Sequence, residues 1–266
     1  VGLSGSGTVW ITGGDLTVTN LGGSSGSSLE IGLPGSGQMI LSNGSVQVDS
    51  LRVTFGPGGP GGTLTVAGGS LTAAGMSIGS ASHSTGTVWV TGGRLLDPIG
   101  TILIGDKGHG QITVSNGTLL ANFMEIGFSS GSVGTLTVAG GTNTISHALR
   151  LSETLGATGA VWVTGGRLSV TNGDSLIGHV GVGRMTITNG TVLSSNVVVG
   201  SDAGSSGTLT MVGGTNTLTG SLTVGSSTNA TGAVWVSGGQ LTVTNLGAAV
   251  GANGVGQLTV SNGTAR

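Results

Sequence analysis

Hydrophobic and polar residues alternate with period two over short stretches that recur along the whole chain. In AVWVTGG, from Ala160, Val161 and Val163 fall on one side while Trp162 and Thr164 fall on the other, the pattern of a half-buried strand. Gly165-Gly166 then supplies the positive φ of a tight turn, as Asn-Gly does at 43–44, 116–117, 189–190 and 262–263. RLSVTN resumes the alternation with Leu168 and Val170 inward. SLIG adds a third short strand, a form that returns as LEIG, MSIG, ILIG, MEIG, VVVG and LTVG. A Gly/Ser/Asn loop follows, and the pattern starts again.

The restart is regular. GTVWITGG from Gly7 returns as GTVWVTGG from Gly86, GAVWVTGG from Gly159 and GAVWVSGG from Gly232. A second version reads GQMILSNG from Gly37, GQITVSNG from Gly110, GRMTITNG from Gly183 and GQLTVSNG from Gly256, and a third reads GTLTVAGG from Gly62 and Gly134 and GTLTMVGG from Gly207. The versions alternate in a three-beat order, so a unit of about 24 residues is nested in a repeat of 73. Residues 1–266 therefore read as one array, with long repeats at 7–85, 86–158, 159–231 and, incomplete, 232–266.

Three strands and three bends per unit predict an all-β chain, a single-stranded parallel β-helix (β-solenoid) of about eleven coils. Equivalent strands would pair in parallel about 4.8 Å apart, giving a rod about 50 Å long. The general preference of parallel crossovers points to a right-handed coil. The inner rows would run Val88/Ile112/Leu136/Val161/Met185/Leu209/Val234 and Val90/Val114/Val138/Val163/Ile187/Met211/Val236. Charges provide an independent check, because Glu30, Arg52, Glu125 and Arg150 each take the middle of an apolar-x-apolar triplet, the place expected to face water.

Composition narrows the chemistry. Gly is 58 of 266 residues, charged residues are 6%, and the net charge is −2. No polybasic surface for nucleic acid or anionic membrane is present. Without cysteine there is no disulfide framework, thiolate metal site or thiol nucleophile. No apolar run approaches the roughly 18 residues that cross a bilayer, so direct membrane insertion is not expected. Neither end carries a polar cap of the kind that closes a solenoid, and both read as cut from a longer array, leaving strand edges for end-to-end addition.

IGSASHSTGTVWVTGG from Ile78, IGFSSGSVGTLTVAGG from Ile126 and VGSSTNATGAVWVSGG from Val224 resemble the Gly-rich repeat shared by autotransporter passengers and PEP-CTERM surface proteins of bacteria. The resemblance covers almost the whole chain. It implies export to the bacterial surface or beyond, a solenoid rod, and a structural, adhesive or matrix role, with no catalytic residues to carry over.

The candidate interaction face is formed by Trp10, Trp89, Trp162 and Trp235, which fall on the outward side of the first strand where other coils have Thr. Three coils apart, the rings would line one flank about 14 Å from each other. Such a stripe marks a contact surface, and three readings compete for it. It could pack against another copy in a filament, fibre or layer; it could stack on sugars as an adhesin stalk or glycan-binding module does; or it could be a half-covered by-product of duplication. Enzyme signals are weak. Gly22–Gly26 fits G-x-S-x-G, but in a loop and at high Gly and Ser content. His83, Asp106 and His109 form the one metal-like grouping, read as solvated loop residues. The acidic residues look scattered, without the convergent carboxylates a polysaccharide-cleaving solenoid needs, and no Ca²⁺-binding nonapeptide occurs. The sequence thus predicts no catalytic residue, cofactor or metal. Asn-Gly-Ser/Thr at Asn43, Asn116, Asn189 and Asn262 reads as turn chemistry first.

Overall fold

The computed structural model describes residues 1–20, 27–56, 58 and 61–266. It is an all-β parallel solenoid of about 10 turns with about 24 residues per turn, and no helix occurs among the described residues. The first strands of successive coils make one 11-stranded parallel sheet. Its register is that of the sequence repeat, with coil-opening glycines paired to each other, as in Gly62↔Gly86, Gly86↔Gly110 and Gly110↔Gly134. Second and third strands pair in parallel with their counterparts one coil away and build the rest of the wall.

Both predicted inner rows are buried, from Val88 at 0% exposure to Val236 at 1%. Leu168 and Val170 are buried as expected. The core is a narrow aliphatic column, and each coil depends on the coils above and below it for backbone hydrogen bonds.

Three separate strands per coil is not the rule throughout. In the coils from Gly86, Gly110, Gly159 and Gly183 the second and third strands run together as Arg94–Ile104, Thr118–Ile126, Arg167–Ile177 and Thr191–Val199. Their register shifts between Asp97 and Thr101 and between Val170 and Asp174. Bulging a few residues outward turns the corner without breaking the ladder, so no separate loop is needed. The coils from Gly110 and Gly183 turn the same corner with fewer residues, through Asn122 and Ser195.

Two corners explain the glycines. A Cβ on Gly110, which opens its coil, would lie 2.1 Å from the Gly105 nitrogen and 2.6 Å from the Ile78 oxygen. The close of one coil presses on the opening of the next, leaving no room for a side chain. The second corner follows the third strand, where Gly127 has φ 75. Thr54 and Ser152 hold the same place in their coils at φ 64 and 66. Thr54 Oγ1 donates to the Thr85 carbonyl at 2.7 Å and accepts the Gly62 N–H, and Ser152 Oγ donates to the Val182 carbonyl and accepts the Gly159 N–H. Hydrogen bonds at this corner compensate for a left-handed conformation that is costly with a side chain.

The interior is not wholly aliphatic. Asn143 and Asn216 replace the inward Leu or Val of the second strand, and both are buried. Asn143 Nδ2 donates to the Arg167 carbonyl at 3.0 Å and the Gly140 carbonyl at 3.2 Å. Asp97 is fully buried beside Ala121; its Oδ1 accepts the Gly100 N–H at 2.6 Å, while Oδ2 has no partner. Burial holds this carboxyl above its ordinary value of 3.8, partly opposed by hydrogen bonds from the Gly100 and Ile99 backbone.

Candidate functional site

The outward row of the first sheet can be followed through its register. It runs Trp10, Ile40, Thr65, Trp89, Thr113, Thr137, and onward to Trp162, Thr186, Thr210, Trp235 and Thr259. Each indole is therefore three strands from the next, about 14 Å along the rod. All four rings are exposed, Trp10 at 67% and the others at 39–44%. Alternation puts them outside, because Val88 and Val90 on either side of Trp89 are committed to the core. The parallel outward row, two residues earlier, holds Thr, Gln and Ala with a single charge, Arg184. This face is thus nearly neutral and studded at a fixed interval with large rings.

The third-strand face carries charge. Glu30, Arg52, Glu125 and Arg150 lie on the outer side, as their triplets predicted, but they are not simply solvated. Arg52 bonds Glu30 at 3.2 Å and stacks 4.7 Å over the Phe55 ring. Arg150 Nη1 reaches Glu125 at 3.4 Å and Glu153 at 3.5 Å. Glu153 continues to His179 Nδ1 at 2.9 Å, and His179 Nε2 lies 3.8 Å from Asp202.

The expectation of scattered acidic residues is therefore corrected. Glu125, Glu153 and Asp202 join Arg150 and His179 in one axial run. Glu153 and His179 each stand second after their third strands, one coil apart, and Asp202 stands third after its own, so the run lies just beyond the strand alternation. Burial holds the Glu125 carboxyl above its ordinary value of 4.5 and the Glu153 charge adds to this, while Arg150 and His179 oppose it. Every carboxylate in the run already faces a cationic or imidazole partner.

The remaining sequence candidates separate. Asp106 accepts a hydrogen bond from Ser77 Oγ at 2.8 Å, and His83 sits at φ 60 in its loop. Among the described residues no group of three potential ligands gathers for a metal ion. Gly22–Gly26, with its G-x-S-x-G, lies outside the described residues. Asn43, Asn116, Asn189 and Asn262 are exposed on one corner, where Gly44, Gly117 and Gly190 take the positive φ.

Among the described residues no helix is long and apolar enough to cross a membrane. No family model matches the chain, nor does any curated protein or solved structure.

Proposed function

We propose that this chain is a structural, non-catalytic rod of an extracellular bacterial filament, fibre or surface layer, packing side by side with copies of itself through the Trp-bearing sheet. The observation that carries the reading is the row of four exposed indoles at a constant interval on a face whose outward rows hold only Arg184 as a charge. Bare indoles in water are costly, and Trp is enriched in buried contact surfaces. A partner with the same axial interval meets every ring at once, and another copy of this chain has that interval. Eleven strands about 4.8 Å apart and five residues wide present about 800 Å² per copy, the area that a stable interface needs. Likeness to the Gly-rich repeat of autotransporter passengers and PEP-CTERM surface proteins supports the location at or beyond the cell surface.

Sedimentation and negative-stain imaging over a concentration series test it. The wild-type chain is expected to form laterally paired or bundled rods, and the Trp89→Thr/Trp162→Thr variant to remain as single rods with unchanged circular dichroism. Single wild-type rods at high concentration, or equal bundling by the variant, would refute the proposal.

A further inference from the structure

The coil-opening corner of the first sheet carries a second surface, distinct in chemistry from the Trp row. A groove of about 360 Å³ runs across the coils from Gly7 to Gly86, lined by Ser6, Thr8, Ser36, Gln38, Thr63 and Thr87 over a glycine floor. A further hollow of about 200 Å³, lined by His109, Gln111 and Thr135, continues it along the axis, and Thr85 lines both. Together they follow six successive strands, about 24 Å of rod.

We infer that this groove binds a neutral, hydroxyl-rich polysaccharide laid along the rod axis. The lining argues for that class by what it offers and what it withholds. It offers hydroxyl and amide groups that the fold leaves unspent: Ser36 Oγ donates to Ser6 Oγ at 2.8 Å, while Gln38, Thr63, Thr85, Thr87 and Gln111 make no side-chain hydrogen bond within the chain. Such groups can both donate to and accept from sugar hydroxyls.

The groove withholds charge. No Asp, Glu, Lys or Arg lines either hollow, so a nucleic acid or an anionic polymer would find no counter-charge. It also withholds backbone. The strands opening at Gly37, Gly62, Gly86 and Gly110 are paired on both sides, so an extended peptide cannot dock by strand addition, which needs an unpaired edge. Trp10 and Trp89 stand two residues further along the same strands as Thr8 and Thr87 and offer apolar ring faces at the groove's margin.

The polar lining is local, although the sequence repeat is not. Downstream, the place of Thr85 is taken by Val182 and Val255, and that of Thr87 by Ala160, Arg184 and Ala233. The glycine floor persists through all eleven first strands, whereas the row Thr8, Gln38, Thr63, Thr87, Gln111 and Thr135 is unbroken only in the upstream coils; downstream, Thr208 and Gln257 alternate with alanines and Arg184.

Isothermal titration with cellohexaose, laminarihexaose, mannohexaose and chitohexaose tests the inference, with oligogalacturonate as a charged comparator. At least one neutral hexasaccharide is expected to bind, with affinity reduced at least about tenfold in Gln38→Ala/Thr85→Val/Gln111→Ala and retained in Trp162→Thr. The three groove positions are exposed, so that variant should keep the parent circular dichroism spectrum. No binding by any neutral oligomer, tighter binding of oligogalacturonate, or equal affinity in the groove variant would each overturn it. The groove shares the first sheet with the packing face, so the titrations are run at concentrations where sedimentation shows single rods; the groove variant leaves all four indoles in place, which keeps this outcome distinguishable from loss of lateral packing.

Discussion

Thr54 donates its hydroxyl to the Thr85 carbonyl one coil on, from a left-handed backbone that most other coils give to glycine. Where glycine holds that place, as at Gly79, an added Cβ would lie 2.2 Å from the equivalent carbonyl, that of His109. A hydroxyl converts this steric conflict into a hydrogen bond. Thr54→Val keeps the shape but loses both bonds and is expected to destabilise the chain by about 1–3 kcal/mol in urea unfolding. Gly79→Ser is expected to cost less than Gly79→Ala, the reverse of an ordering by side-chain size.

The coil-opening glycines should be the least replaceable positions. Gly110→Ala places a methyl group against backbone from two directions and is expected to cost more than about 3 kcal/mol or to prevent folding. Gly75→Ala, with nothing within 4 Å of the new Cβ and no positive φ, should be neutral or stabilising by up to about 1 kcal/mol. Soluble yield and denaturation midpoints of the two variants would separate close approach from glycine content as such.

Asp97 makes stability depend on pH in a predictable direction. The folded chain binds this proton more tightly than the unfolded chain, so stability falls as pH rises above 3.8, and the penalty is complete above the folded-state value. Asp97→Asn keeps the acceptor for the Gly100 N–H and removes the charge. Its melting temperature should exceed the parent's by about 2 °C or more at pH 7. The gap should close towards pH 3, as thermal melts across that range would reveal.

Arg150 is the cation shared by Glu125 and Glu153. Arg150→Met keeps much of the side-chain bulk but leaves those two carboxylates facing each other. A loss of about 1 kcal/mol is expected at pH 7, screened by salt because the arginine is half-exposed. Burial holds the Glu125 carboxyl above 4.5, so it is protonated at pH 4, the repulsion is removed and the loss should shrink. Urea midpoints at both pH values, at low and high salt, provide the check.

Much of the architecture was legible because parallel stacking carries a sequence period straight into space. Residues one repeat apart become ladder neighbours, so alternation alone sorted Val161 inward and Trp162 outward, and the phrase starts determined the coil length, the core rows and the interval between indoles.

What the tertiary structure decided lies where non-equivalent positions meet. His179 Nε2 comes within 3.8 Å of Asp202, which stands one place further past its third strand, and Gly110 meets Gly105 only because the end of one winding is pressed against the start of the next. Alternation from Leu95 already puts Asp97 inside, but only the bulge after it brings the Gly100 N–H to its Oδ1. These contacts depend on how the chain bends between strands, and a bend, unlike a strand, has no fixed period from which its neighbours can be counted.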